Sequence, residues 1–105
     1  MTNQLTHEAF TNNLQTRFLA SVGSDQAVEL ELTQVSDLEL SAKQEQFAIV
    51  FRGPSEAFLG QGTRLLTHEL MGEFDLFLVP IRQDSQGFYY EAVFNRIREQ
   101  EETAG

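Results

Sequence analysis

The residue pairs with the most catalytic potential are two histidine–glutamate dipeptides, His7-Glu8 and His68-Glu69. Each matches the start of the zinc-protease pattern, in which a second histidine four residues later completes a metal site on a helix. Thr11 and Gly72 stand at those positions, so neither dipeptide completes the pattern. The chain has two histidines and no cysteine, which would leave any zinc site dependent on carboxylates. We therefore expect no metal and no cofactor.

Two further segments contain residues that occur in nucleotide-binding or hydrolytic motifs. Gly60-Gln61-Gly62 leads into a predicted strand without a following Lys-Ser/Thr, which indicates a turn and not a phosphate loop. Ser55 lacks both the glycine at position 57 and the strand–turn–helix setting of a nucleophile elbow. General acid–base catalysis needs a titrating group held in a cleft, and only His68 is suitably placed for that role. We predict that the protein is not an enzyme.

The charge balance restricts the partners. The chain carries 16 acidic and 7 basic side chains, a formal net charge of −9. Such a chain repels phosphate backbones and has no basic cluster, so we expect no nucleic-acid partner. No apolar run approaches the ~20 residues that a membrane span needs, and the N-terminus lacks the regions of a signal peptide. We expect a protein that is cytoplasmic as synthesised, unless an assembly carries it elsewhere.

Residues 46–97 hold the strongest signals for secondary structure. They include seven of the nine phenylalanines and both tyrosines, so a core must form here. Apolar or alternating segments predict strands over 47–51, 63–70, 73–82 and 88–97, and turn-forming residues separate them. Pro80 indicates a sheet edge or a bulge near the end of its strand.

The first half of the chain is predicted to pack onto these strands. Thr6 is suited to N-cap a short helix that Asn12-Asn13 would end after about two turns. Alternating apolar residues predict strands over 14–22 and from Val28 to about Asp37. The parity changes near Thr33-Gln34, which indicates either a β-bulge or the end of the strand, and we favour a long, bent strand.

About six strands with mostly short connections predict a single all-β domain over residues 1–105. The fold class is a six-stranded antiparallel barrel or sandwich with a short N-terminal helix. Residues 1–5 and 98–105 are predicted to be loose ends.

Arginines and aromatic residues are the candidates for binding a partner. Arg52, Arg82 and Arg96 lie at strand positions or strand ends, where they would form cross-strand ion pairs or present one rim of the barrel to an acidic partner. Tyr89 and Tyr90 are adjacent on a strand, so at least one of them points outward, towards an interface or under the N-terminal helix. The partner-binding candidates are therefore Arg52, Phe77, Arg82, Tyr89 and Arg96.

A pattern over residues 47–96 resembles a known family. The residues that carry it are Phe47-Ala48-Ile49-Val50-Phe51-Arg52-Gly53-Pro54, Gln61-Gly62-Thr63, His68, Gly72, Leu76-Phe77-Leu78-Val79-Pro80 and Tyr90-Glu91-Ala92-Val93-Phe94-Asn95-Arg96. The family consists of uncharacterised bacterial β-domain proteins of about this length, often encoded near proteins with a phage-tail-collar-like domain. The resemblance implies an accessory or structural role beside a tail-like or fibre-like assembly. It assigns no catalytic residue, and Arg64 departs from the aromatic residue expected after Gln-Gly-Thr.

The leading hypothesis is a non-enzymatic structural or interaction module, a component or assembly factor of a phage-tail-like or fibre-like bacterial structure. The expected partner is a protein, such as a tail-collar or fibre-like protein, and self-association is compatible with the sequence. The alternative is a small-ligand-binding β-barrel, which would show an enclosed pocket lined by aromatic and a few polar residues.

Overall fold

The computed structural model describes residues 5–23 and 25–97. The elements are α1 (His7–Thr11), β1 (Arg17–Ser21), β2 (Ala27–Val35), β3 (Glu39–Leu40), β4 (Gln44–Gly53), β5 (Gly62–His68), β6 (Gly72–Asp84) and β7 (Gly87–Ile97). The strands run in the order β2-β1-β5-β6-β7-β4, and a further pairing of β2 with β4 closes the ring. This closed six-stranded antiparallel barrel with one short helix confirms the predicted fold class. The short strand β3 extends the ladder of β4 beyond β2.

Strand β6 forms a corner of the barrel, because its two halves pair with different neighbours. Gly72 to Leu78 pair with β5, whereas Val79 to Asp84 pair with β7. The register with β7 shifts between Pro80 and Arg82, so Ile81 is an extra residue in the ladder. Pro80 thus lies beside a bulge and beyond the last pair with β5, where its missing N–H interrupts no ladder on that side.

A second bulge bends β2 where it leaves β1 and pairs with β4. The register with β4 shifts between Leu32 and Gln34, which leaves Thr33 as the extra residue. The hydroxyl of Thr33 donates to the carbonyl oxygen of Val50 at 3.1 Å, so the irregular backbone is tied to β4. The predicted long, bent strand with a bulge at this place is confirmed.

Helix α1 closes the end of the barrel where β6 and β7 diverge. The Thr6 side chain accepts a hydrogen bond from the Ala9 N–H at 3.1 Å, the predicted N-cap. Phe10 is fully buried, and its ring contacts those of Phe47 on β4, Phe74 on β6 and Phe94 on β7. The helix therefore fills the corner that backbone pairing leaves open.

Alternating residues of all six ring strands fill the interior. The buried cluster includes Phe18, Leu32, Phe51, Leu66, Leu78 and Tyr90, each of them fully buried. At the end opposite α1, the Tyr90 hydroxyl accepts a hydrogen bond from the Leu59 N–H at 2.9 Å. This bond ties the connection between β4 and β5 over that end of the barrel.

The structure differs from the sequence predictions at several boundaries. The first strand begins at Arg17 and not at Leu14, because Gln15 has a φ of 66° and residues 12–15 form a turn. Leu5, assigned to a loose end, packs against the core, and its carbonyl oxygen accepts from Arg96. The tail over 98–105 lies outside the described residues.

Candidate interaction surface

One row of outward side chains crosses five strands of the ring. The cross-strand partners follow one another without a gap: Arg17 faces Glu31, Glu31 faces Arg52, Arg52 faces Tyr89, and Tyr89 faces Arg82. We call Arg17, Glu31, Arg52, Tyr89 and Arg82 the arginine row. It concentrates three cations on one line of a protein with a net charge of −9.

Two of the three arginines in the row form ion pairs with β2. Arg17 Nε lies 2.8 Å from Glu29 Oε2, with 76% and 53% of the two side chains exposed. A pair this exposed contributes at most about 1 kcal/mol, so Arg17 can exchange its partner at little cost. Arg52 pairs with Glu31, and both side chains are about one-third exposed. Glu31 therefore orients Arg52 more firmly than Glu29 orients Arg17.

The Arg82 guanidinium stacks on the ring of Tyr89 and does not pair with an acidic side chain of the described residues. Its guanidinium carbon lies 4.0 Å above the centroid of the Tyr89 ring, and no described residue forms an ion pair with it. Stacking occupies the flat face of a guanidinium and leaves its in-plane N–H donors available for a carboxylate. Tyr89 points outward, as one of the two tyrosines had to, but Arg82 covers it so that only 8% is exposed.

A cleft of about 490 Å³ opens beside the row. Arg17 and Arg52 lie on either side of β2, and Gln86 from the β6–β7 turn lies at its edge. The cleft is lined by groups of both charges, which suits the side chains of a polar polypeptide.

The side of the barrel centred on β5 carries a different surface, which we call the apolar stripe. Leu19 on β1, Leu65 on β5 and Phe77 on β6 are 46%, 38% and 51% exposed. Thr67 faces Leu19 while Asp75 faces Leu65, so the three apolar residues are diagonal neighbours on adjacent strands. Asp75 and Glu73, both exposed, border the stripe on β6.

The structure distributes the predicted partner-binding residues over three places. Arg52, Tyr89 and Arg82 meet in the arginine row, and Phe77 lies in the apolar stripe. Arg96 lies at the α1 end, where it donates to the Leu5 carbonyl oxygen and approaches the rings of Phe47 and Phe94. Its surroundings indicate that Arg96 holds the N-terminal segment against the barrel.

Four residues of these surfaces were absent from the predicted set: Arg17, Glu31, Leu19 and Leu65. The alternation of the sequence already placed Arg17 and Glu31 on outward faces. Their placement in one row with Arg52 depends on the pairing of β2 with both β1 and β4, which no local pattern encodes. Leu19 and Leu65 have the parity of outward residues, and that parity was the available signal.

His68 is enclosed by hydrogen bonds at both ring nitrogens. Nδ1 accepts from the backbone N–H groups of Leu70 and Met71 at 3.0 and 3.1 Å. An accepting nitrogen carries no proton, so Nε2 carries it and donates to Thr16 Oγ1 at 2.8 Å. The Thr16 hydroxyl donates in turn to the Asn13 carbonyl oxygen at 2.7 Å. The imidazole thus joins the start of β1 to the β5–β6 turn.

Burial favours the neutral form of this imidazole. The His68 side chain is only 5% exposed, and burial lowers its pKa, although neighbouring Glu69 acts in the opposite direction. A cleft of about 440 Å³ adjoins His68, Thr16 and Arg17. Because the protein itself occupies both nitrogens, the geometry favours a structural role for His68.

The described residues offer neither a metal-binding group nor a membrane-spanning helix. Residues 5–23 and 25–97 bring no three histidine or acidic side chains into a group that would hold a metal ion. Within the same ranges, no helix combines the length and the apolarity that crossing a bilayer demands.

Comparison with known proteins identifies the family. A family model described as a domain of unknown function, DUF6916, matches residues 5–94. The chain therefore belongs to the DUF6916 family, and the match includes every strand of the barrel up to residue 94 of β7. No curated protein and no solved structure matches the chain.

Proposed function

We propose that this protein is a non-enzymatic interaction module whose arginine row binds an acidic surface of a protein partner. The observation that carries the proposal is the register that brings Arg52, Tyr89 and Arg82 together on adjacent strands. Arginine and tyrosine are enriched at protein interfaces, and charge-assisted bonds from arginine to carboxylate are among the stronger hydrogen bonds.

The state of each arginine supports this role. Arg82 is pre-oriented by Tyr89 with its in-plane donors available, and Glu31 orients Arg52. Pre-orientation lowers the side-chain entropy lost on binding, which is about 0.5–1.5 kcal/mol for each long side chain that becomes ordered. Strand β7 lies between β6 and β4, so a partner with carboxylates about two strand spacings apart, roughly 10 Å, would meet both arginines at once.

The setting we propose is a phage-tail-like or fibre-like bacterial assembly, in which the protein is a component or an assembly factor. This part rests on the resemblance of residues 47–96 described above. Such a module would be cytoplasmic as synthesised and would leave the cytoplasm only as part of the assembly.

The alternative of a small-ligand-binding barrel has less support. Fully buried side chains such as Phe18, Phe51 and Tyr90 meet inside the barrel, where a ligand would have to lie. The two clefts described above open on the outside of the barrel instead.

The test is a pull-down of tagged protein from its native lysate at low and high salt, with the bound polypeptides identified. Wild type and Lys43→Glu should retain a stoichiometric partner that high salt releases, because Lys43 lies on the β3–β4 turn, away from the row. Arg82→Glu makes the same charge change within the row and should lose that partner. Equal retention by Arg82→Glu, or no bound polypeptide at all, would contradict the proposal.

A further inference from the structure

We propose that the acidic partner of the arginine row is the apolar stripe of a second copy of this chain, so that copies join head to tail. The inference rests on the proposed function and names the occupant of the same row. Two features of the barrel carry it: the chemistry of the two surfaces and their positions on the ring.

The apolar stripe is an exposed surface that a binding partner would bury. Leu19, Leu65 and Phe77 are one-third to one-half exposed although they are diagonal neighbours, which makes them a continuous apolar surface on a small domain. Asp75 and Glu73 give that surface an acidic border on β6.

The arginine row supplies the complementary groups. Its guanidinium groups can bind the carboxylate of Asp75, while the methylene stems of Arg82 and Arg52 lie over apolar side chains. An isolated acidic surface would use only the charges of the row. An acidic surface beside leucine and phenylalanine uses the charges and the stems together.

The positions of the two surfaces determine the kind of assembly. The row is centred on β4 and the stripe on β5, and these strands lie three places apart in either direction around the six-stranded ring. Their centres therefore lie on opposite sides of the barrel, and the two surfaces approach each other only at their ends, on β1 and β6. Contact between two different, opposed surfaces is heterologous and repeats from copy to copy, so it produces a linear chain and not a closed dimer.

The net charge of −9 opposes association at long range. At physiological ionic strength the Debye length is about 8 Å, so repulsion between whole molecules is screened more than ion pairs in contact. We therefore expect association to be strongest at moderate salt and to weaken in high salt.

The experiment is sedimentation velocity of the purified chain over a range of concentrations near 150 mM salt. Wild type should show a sedimentation coefficient that rises with concentration. Arg82→Glu in the row and Asp75→Arg in the stripe should each weaken association at least about tenfold, since like charges then meet across the contact. Lys43→Glu and Glu39→Arg repeat these two charge changes in the β3–β4 hairpin, away from both surfaces, and should associate like wild type. Circular dichroism checks that every variant is folded.

An equimolar mixture of Arg82→Glu and Asp75→Arg gives the sharper result. Each variant keeps one intact surface, so the mixture should recover association that neither shows alone, with a 1:1 pair as the smallest complex. Wild type that stays monomeric at every concentration, or a mixture that does not recover, would overturn the inference. If wild type stays monomeric while Arg82→Glu still loses a different polypeptide in the pull-down, the self-association fails and the proposed function stands.

Discussion

The β4 side and the β5 side of the barrel are built by the same alternation of residues but carry opposite chemistry. On the β4 side, the row holds arginines that are paired with glutamates or stacked on Tyr89. On the β5 side, outward positions hold exposed apolar residues with an acidic border. The core constrains only the inward residues of each strand, so the outward residues of the two sides are free to differ.

The adjacent residues Tyr89 and Tyr90 show how inward and outward positions of one strand differ in role. Tyr90 points inward, is fully buried and accepts a hydrogen bond from the Leu59 N–H. Tyr89 points outward and supports the Arg82 guanidinium. Tyr90 thus stabilises the core, whereas its neighbour Tyr89 positions a surface arginine.

The largest expected effect comes from removing the side chain on which both surfaces depend. Phe10 fills the corner between β6 and β7, and these strands carry parts of the row and of the stripe. Phe10→Ala should lower the free energy of unfolding by about 3–5 kcal/mol, measured by urea denaturation. Phe58→Ala is the matched control, because Phe58 is 57% exposed and should cost much less. Equal losses in the two variants would contradict the role assigned to Phe10.

The tyrosine pair allows a comparison by removal of one hydroxyl at a time. Tyr90→Phe leaves the Leu59 N–H without its acceptor and should cost about 1–3 kcal/mol of unfolding free energy. Tyr89→Phe keeps the ring under Arg82 and should change stability by less than about 0.5 kcal/mol. Thermal or urea denaturation of the two variants measures the difference, and a larger loss for Tyr89→Phe would reverse the assignment of inner and outer roles.

The stability of the contact between the start of β1 and the β5–β6 turn should depend on pH, because His68 forms that contact. Burial lowers the His68 pKa in the folded protein, so the unfolded chain binds a proton at a higher pH than the folded chain does. The contribution of this group is therefore present above its ordinary pKa of 6.5 and is lost as the pH falls from 6.5 towards the lowered value.

Urea denaturation at a series of pH values measures this effect. Subtracting the stability of His68→Gln from that of wild type isolates the group, and the difference should shrink as the pH falls below 6.5. A difference that grows on acidification would show that the folded protein stabilises the charged imidazole.

The smallest expected effect comes from the ion pair that orients Arg52. Because both side chains are about one-third exposed, Glu31→Gln should cost no more than about 1 kcal/mol of unfolding free energy. Its effect on binding should exceed its effect on stability, since Arg52 loses its orientation within the row. Unchanged binding of a row partner, measured by calorimetry, would show that Glu31 has no part in the surface.

The pattern of apolar residues was sufficient to predict the strands from β4 to β7 and the irregularity near Thr33, and the N-cap preference of threonine predicted the start of the helix at Thr6. The apolar pattern left barrel and sandwich undecided, because closure depends on pairings between strands that are distant in the sequence, such as Leu19 with Thr67 and Gln44 with Ile97. The first strand was predicted to begin at Leu14 but begins at Arg17, because the apolar pattern does not reveal the left-handed backbone conformation of Gln15.

The arginine row depends on register, which the alternation does not determine. Pro80 faces Tyr90, so in a regular ladder Ile81 would face Tyr89. The extra residue in the bulge shifts the ladder by one place, and Arg82 faces Tyr89 instead. Pro80 indicated an edge or a bulge, but only the observed pairing shows which side chain the bulge turns outward.

Photo-crosslinking from Leu65, at the centre of the stripe, tests whether the stripe of one copy contacts the row of another. Benzoylphenylalanine replaces Leu65 in unlabelled protein, which is mixed with isotopically labelled wild type so that crosslinks between copies can be recognised. We predict crosslinks to the tryptic peptide over 83–96 of the labelled copy, which contains Tyr89 of the row. The peptide over 65–82 holds Leu65 and Phe77 of the stripe but ends in Arg82 of the row, so its crosslinked residue is located by fragmentation. Crosslinks confined to residues 65–77 of the labelled copy, at a concentration where wild type associates, would show stripe against stripe and contradict the head-to-tail contact.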